Sequence, residues 1–181
     1  MPEVELPNLH EIEEQKEKRF SRRVALVTAL YAVLLAITAL GGNKASKEMI
    51  LSQQQASDQW AFYQAKSIRE QLYNTQSMMA DAANYEGLAK QLKAGAKKYE
   101  GDKKELEVEA RKLEKERDMY RAKDPYFDLG EALLQIAIVL ASISILASSG
   151  PVFIGSLVSA VLGTFLMLNG YFMLLSLPFF H

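Results

Sequence analysis

Residues 132–181 read ALLQIAIVLASISILASSGPVFIGSLVSAVLGTFLMLNGYFMLLSLPFFH, and they carry no charge unless His181 is protonated. A soluble core rarely needs an uncharged run of 18 residues or more. Ser149-Gly150-Pro151 reads as a tight turn that divides the stretch. On its two sides lie apolar segments of roughly Leu129–Ser148 and Val152–Leu177, the second long enough to cross a bilayer with tilt. Toward the N-terminus, Val24–Leu40 is a further uncharged run. It sits in a span of roughly Val24–Gly42, just long enough at ~1.5 Å of rise per residue, which Gly41-Gly42-Asn43 is expected to end.

The whole-chain composition hides this pattern. At 49% apolar, 24% charged and a net charge of −1, the 181 residues would pass for a soluble domain. Nearly all the charge, however, falls in residues 3–23 and 44–131. The expected fold is an all-α integral membrane protein with three transmembrane helices and a long extramembrane, coiled-coil-like helical hairpin between the first and the second. Its parts are a polar N-terminal helix (1–23), spans at 24–42, 128–148 and 152–177, and the hairpin at 43–127. A cleaved signal peptide is the competing reading of the first span. The apolar run is long for that, and Ala-Leu-Gly (39–41) is only a fair cleavage site.

The ends and breaks follow from residue type. Pro2 and Pro7 call for extended chain, and Asn8 with Glu11 resembles a capping box that starts a helix. That helix leads Lys16, Lys18, Arg19, Arg22 and Arg23 to the membrane. Under the positive-inside rule this cluster places the N-terminus in the cytoplasm, with the hairpin and His181 on the other face. The long loop has basic residues near its ends too, but at over 80 residues it counts less in that rule. Asp124-Pro125 is expected to break the helix before the chain re-enters the membrane. Tyr126 and Phe127 then read as an interfacial aromatic belt.

Between the first two spans the sequence is helical in pattern. Positions 61, 65, 68, 72, 75, 79 and 82 hold Ala, Ala, Ile, Leu, Thr, Met and Ala, a weak but regular heptad seam. Met49, Ala56, Trp60 and Tyr63 form a second stripe, with Gln53 and Ser67 in phase. Further on, Tyr85, Leu92, Tyr99, Leu106, Leu113 and Tyr120 recur every seven residues, accompanied by Ala89, Ala96 and Ala110. Asn84-Tyr85-Glu86-Gly87 lies midway between the membrane ends, but Gly95 and Gly101 also weaken helix, so the residues leave the position of the turn open among these places. A helix with two apolar stripes wants two neighbours. Trp60 and Tyr63 are therefore expected to be largely buried in a helix–helix contact, on the face opposite Ala65, Ile68 and Leu72. A solvated hairpin that packs only on itself is the plainer alternative.

In the third span, Ser156, Ala160 and Thr164 mark one edge, and Ser159 and Gly163 another. Small residues spaced by four let helix backbones approach closely. Their partner can be in the same chain or in another. Asn169, deep in that span, is expected to hydrogen-bond across helices, with Gln135 as a possible mate. Glu131 is expected to reach toward water.

Several chemistries lack their residues. The chain has no cysteine, and its two histidines, His10 and His181, lie near opposite ends, so no metal site or cofactor is expected. No phosphate-cradling loop, metalloprotease helix or calcium loop occurs. No lysine, arginine or aspartate lies deep in a span, which argues against a proton relay, a voltage sensor or an ion-coupled carrier. Residues 44–124 hold 16 basic and 14 acidic side chains, whereas nucleic-acid binding wants one sign.

The stretch DQWAFYQAKSIR at 58–69 resembles a bacterial membrane family catalogued as domain of unknown function 4337. So do KRFSRRVAL at 18–26 and EALLQIAIVLA at 131–141. The resemblance covers most of the chain in order. Ser57–Arg69 is its most specific part, and residues 85–123 match only in general character. It implies a multi-pass protein of the bacterial inner membrane, and it implies no activity.

The first functional expectation is a non-enzymatic membrane scaffold or interaction protein that assembles with copies of itself in the lipid bilayer. The candidate interface is Trp60, Tyr63, Ala65, Ile68 and Leu72 in the hairpin, with Ser156, Ala160, Gly163 and Asn169 in the membrane. The second is an accessory subunit using the same surfaces on other membrane proteins. The third is an oligomeric pore lined by weakly polar faces of the second and third spans. An enzyme stands well behind these.

Overall fold

The computed structural model describes residues 9–175, the side chains of residues 9–13 aside. The expected capping box at Asn8 and the C-terminal Pro178–His181 lie outside these residues. The described chain forms three helices and, among these residues, no strand: α1 (Leu9–Ala82), α2 (Glu86–Leu146) and α3 (Gly150–Phe172). Each has a stretch long and apolar enough to cross a membrane. The helices divide between two compact units. Met1–Ala45 with Ala122–His181 make an apolar unit, and Ser46–Arg121 make a polar one.

In the apolar unit all three helices share a core. Val24 and Tyr31 of α1, Leu134, Ala137 and Ala141 of α2, and Ala160 of α3 are buried together. Phe20 and Phe153 meet edge to face at 6.0 Å beside it. Thr38 and Ser144 are also fully buried. Their hydroxyls donate to carbonyls of their own helices, Leu34 at 2.8 Å and Ala141 at 2.7 Å, so neither is left unbonded in apolar surroundings.

Two expected breaks are absent. Helix α1 runs unbroken through Gly41-Gly42-Asn43. A Cβ built on Gly41 would lie 2.5 Å from the Phe127 ring, and one on Gly42 would lie 3.1 Å from Phe127 Cβ. These glycines make room for a ring; they do not stop a helix. Helix α2 likewise continues through Pro125. The ring removes one backbone donor, a loss of about 3 kcal/mol in a helix interior. The next two residues offset it. Tyr126 and Phe127 are buried inward, not set out as a belt. Tyr126 donates to the Leu175 carbonyl at 3.1 Å, and Phe127 packs edge to face on Tyr171 at 5.0 Å.

The true helix ends are marked by left-handed residues. Asn84 (φ 62°) follows α1, Ser148 (φ 43°) follows α2, and Met173 (φ 50°) follows α3. At the first, the Tyr85 N–H reaches the Ala80 carbonyl and the Asn84 N–H reaches that of Asp81, which satisfies carbonyls the helix leaves open. Ser149 and Ser148 repeat the pattern on Ser144 and Ile145. Helix α3 stops at Phe172, short of the expected residue 177.

In the polar unit, α1 and α2 run antiparallel. The pairings show it: Asp81 with Lys93, Glu70 with Lys103, Lys66 with Asp102, Trp60 with Glu114 and Gln53 with Arg117. The core between them is built largely from alanine: Ala56, Ala80, Ala89, Ala96 and Ala110 are all buried. Gly95, read from sequence as a weak point, lies under the Tyr73 ring, which a Cβ there would meet at 2.6 Å.

Candidate interaction surfaces

The candidate residues fall on three surfaces. The first is the inner face of α1 in the polar unit, where Trp60 and Tyr63 sit edge to face at 5.3 Å. The Trp60 indole N–H donates to Glu114 Oε1 at 2.9 Å, and the Arg111 guanidinium lies 5.9 Å from its ring. The Lys103 ammonium is 5.6 Å from the Tyr63 ring and 2.6 Å from the Glu70 carboxylate. The expected helix–helix contact exists, and it lies within the chain. Both rings are half-buried and not largely buried, because polar partners hold their rims at the edge of the contact.

Electrostatics strengthens this face. The Glu70 carboxylate holds the Lys103 ammonium above the usual lysine range. The Lys66 ammonium, 2.6 Å away, holds the Asp102 carboxyl below the usual carboxylate range. Sequence reading missed these cross-helix pairs. Their charges were visible, but pairing them needs the register that the turn at Asn84 sets.

The second surface is the outer face of α1. Ala61, Ala65, Ile68, Leu72, Thr75 and Met79 are all exposed. Ile68 and Met79 are each 67% exposed and Leu72 is 52%. Phe62 lies alongside, 60% exposed. The residues of the heptad series thus lie on one exposed face, and α2 covers the opposite one.

The third surface is the edge of α3, and most of it is used internally, with Thr164 only half-buried. Ser156, Ser159 and Ala160 are buried, and the Ser159 hydroxyl donates to the Leu133 carbonyl of α2 at 2.7 Å. A Cβ on Gly163 would lie 2.9 Å from the Gly130 carbonyl oxygen and 3.0 Å from Leu134 Cγ. Helices α2 and α3 cross here backbone to backbone. Asn169, only 2% exposed, bonds to neither of the other helices. Its amide donates to the Leu175 carbonyl, its oxygen accepts from the Leu175 N–H, and both distances are 2.8 Å. It clasps the chain that leaves α3. Gln135 is no mate for it; it donates to Glu131 at 3.1 Å within α2.

Among the described residues, no group of three or more histidine, aspartate or glutamate side chains could hold a metal ion. The model of the domain of unknown function 4337 family matches residues 20–173. The chain belongs to that family. The match takes in the greater part of all three helices and both surfaces of α1. No curated protein and no solved structure matches the chain. The domain of unknown function 4337 description carries no activity, so the surfaces themselves must supply the functional reading.

Proposed function

We propose that this protein is a non-enzymatic, membrane-anchored helical scaffold that assembles with copies of itself. In this reading α1, α2 and α3 cross the bacterial inner membrane, and the α1–α2 pair of the polar unit is an extramembrane hairpin. The observation that carries it is the outer face of α1, where Ile68, Leu72 and Met79 stand exposed after α2 has taken the opposite face. Each large apolar side chain removed from water contributes roughly 1.5–3 kcal/mol. Copies held in one bilayer also meet at high effective concentration, so a modest seam suffices.

The membrane layer of contact needs a different address from the one the sequence suggested. Gly163 and Ser159 already face α2. Gln135 and Ser142, seven residues apart on α2, are exposed. Polar side chains at such positions support association between spans. The basic cluster Lys16–Arg23 supports a cytoplasmic N-terminus.

The accessory-subunit reading shares the same exposed face and differs only in its partner. The pore reading has lost most of its lining, since Ser144, Ser156, Ser159 and Asn169 are turned inward. Mass measurement in mild detergent tests the proposal. Multiples of the 20.3 kDa chain are expected. A clean monomer across detergents, with a foreign protein co-purifying, would move the accessory reading to first place.

A further inference from the structure

We infer that the outer face of α1 is the contact surface for α1 of a second copy, paired parallel and in register along Ala61, Ala65, Ile68, Leu72, Thr75 and Met79. The inference rests on the membrane anchoring proposed above and specifies which side chains meet.

Register follows from the anchoring. In copies inserted with one orientation, a given residue stands at the same height above the bilayer in each, whatever the tilt of its helix. Antiparallel pairing of this face is therefore excluded, and the natural solution is a two-fold axis along the membrane normal. Each seam residue then faces its own counterpart. The seam residues alternate steps of four and three, the spacing of a two-helix interface. They lie opposite the side that packs on α2, whose centre is marked by Tyr63, Glu70 and Ser77.

Charge selects the partner. In a parallel pair, the flanking positions that meet across the seam are Gln64 with Arg69 and Gln71 with Gln76. No like charges oppose one another there, and Arg69 is the single charged side chain in the seam or its flanks from residue 61 to 82. The alternative surface on the same unit is the outer side of α2. It exposes Lys97, Lys98, Lys104, Lys112 and Lys115. Burying those ammonium groups under an uncharged strip would strip their water, and the strip would add no partner to the ones that Lys104 and Lys112 have in Glu100 and Glu109. The neutral face matches another neutral face, so α1 meets α1 and not α2 of the neighbour. The membrane-proximal limit is set by Asp58, the first residue in phase below Ala61. Two such carboxylates facing each other would repel, so the contact begins above them.

The chain lacks cysteine, which makes the test direct. Single substitutions Ile68→Cys, Leu72→Cys and Asn74→Cys, each in the full-length protein, are oxidised in native membranes. Disulfide-linked dimers are expected at 68 and 72 and not at 74, which is exposed on the opposite side of α1 from the seam. Adding Ile68→Glu to Leu72→Cys should lower the linked fraction about tenfold, corresponding to 1.4 kcal/mol. A multimer by mass that gives no link at 68 or 72 would overturn the pairing while leaving self-assembly standing. Links between Ile68→Cys and Lys98→Cys in co-expressed copies would overturn it in favour of a head-to-tail contact. A monomer by mass with no links would overturn both this inference and the scaffold reading.

Discussion

Along α3, Ser156, Ala160 and Gly163 are packed into the chain's own α2 and α1, whereas along α1, Ala65, Ile68 and Leu72 face outward. Both sets have the spacing of a helix–helix interface, and both are made of small or apolar residues. What separates them is the neighbour that the chain supplies. Helices α2 and α3 are joined by a short turn at Ala147–Ser149, so each is the other's nearest partner, and the glycines at 130 and 163 let them touch. In the polar unit α1 has one neighbour, α2, but it carries two stripes. The larger, polar-rimmed stripe with Trp60 and Tyr63 takes that neighbour. The smaller one is left over. Interface spacing thus tells that a helix will pack, and the count of neighbours tells whether the chain itself can provide the partner.

The strongest challenge to this contrast is Gly163→Leu. If the Gly163 edge is internal, the substitution should damage the fold and not merely the assembly. Overpacking typically costs about 1–3 kcal/mol, and more where backbone is the obstacle; here the Gly130 carbonyl oxygen already stands 2.9 Å from a Cβ. Rapid trypsin cleavage and loss of a monodisperse peak in detergent are expected. A well-folded variant that has only changed its oligomeric mass would place the edge outside after all.

Next in size is Asn169→Leu, which is close in volume but loses both bonds to Leu175. Leaving those backbone groups unpaired should cost about 1–3 kcal/mol. The melting temperature in detergent should fall, and hydrogen exchange at the Leu175 amide should quicken. Unchanged protection there would remove the clasp from the account. By contrast, Ile68→Glu should leave the melting of the single chain nearly unchanged and act only on association, since its side chain touches solvent.

Milder effects come from the pairs beside Trp60. The depressed Asp102 pKa means its contribution is present at neutral pH and lost as pH falls through the folded-state value, which lies below the usual carboxylate range. The raised Lys103 pKa means the reverse: its contribution is complete below about 10.5 and lost as pH rises through the folded-state value. Small shifts of the Trp60 emission at both extremes are expected, with a plateau between them. A flat profile from acid to alkali would show that these pairs add nothing to the packing. Iodide should quench Trp60 partially, between a free indole and a buried one. The smallest effect is Met173→Gly. Releasing a non-glycine residue from φ 50° should stabilise α3's end by about 1 kcal/mol, read as a modest rise in melting temperature.

Much of this architecture was legible in the residues. The uncharged stretches at 24–40 and 132–175 gave three helices with apolar spans, and of the heptad series Tyr85, Leu92, Tyr99, Leu106, Leu113 and Tyr120 all but the exposed Tyr85 are at least half-buried. The turn was one of several places the residues offered, beside Gly95 and Gly101, and the left-handed backbone of Asn84, which asparagine tolerates, marks where it falls. The errors share one cause. Gly41-Gly42, Gly95 and Pro125 were read by local propensity, yet Phe127, Tyr73 and Tyr126 decide their roles from far along the chain. Tertiary contact outweighs a propensity of about 1 kcal/mol for glycine, and with Tyr126 and Phe127 buried it also carries the proline. Asn169 was expected to bond across helices, yet both of its bonds go to Leu175, six residues on, where the chain has left α3.

The uncharged character of the α1 seam also gives the proposed pairing a thermodynamic signature. Apolar contact is driven near room temperature by the entropy of released water and strengthens on moderate warming. It is indifferent to screening ions, which weaken exposed charge pairs such as Lys93–Asp81. Salt should therefore loosen each chain's own grip between α1 and α2 while leaving the two copies joined. Cold should do the opposite, parting the copies while the ion pairs hold.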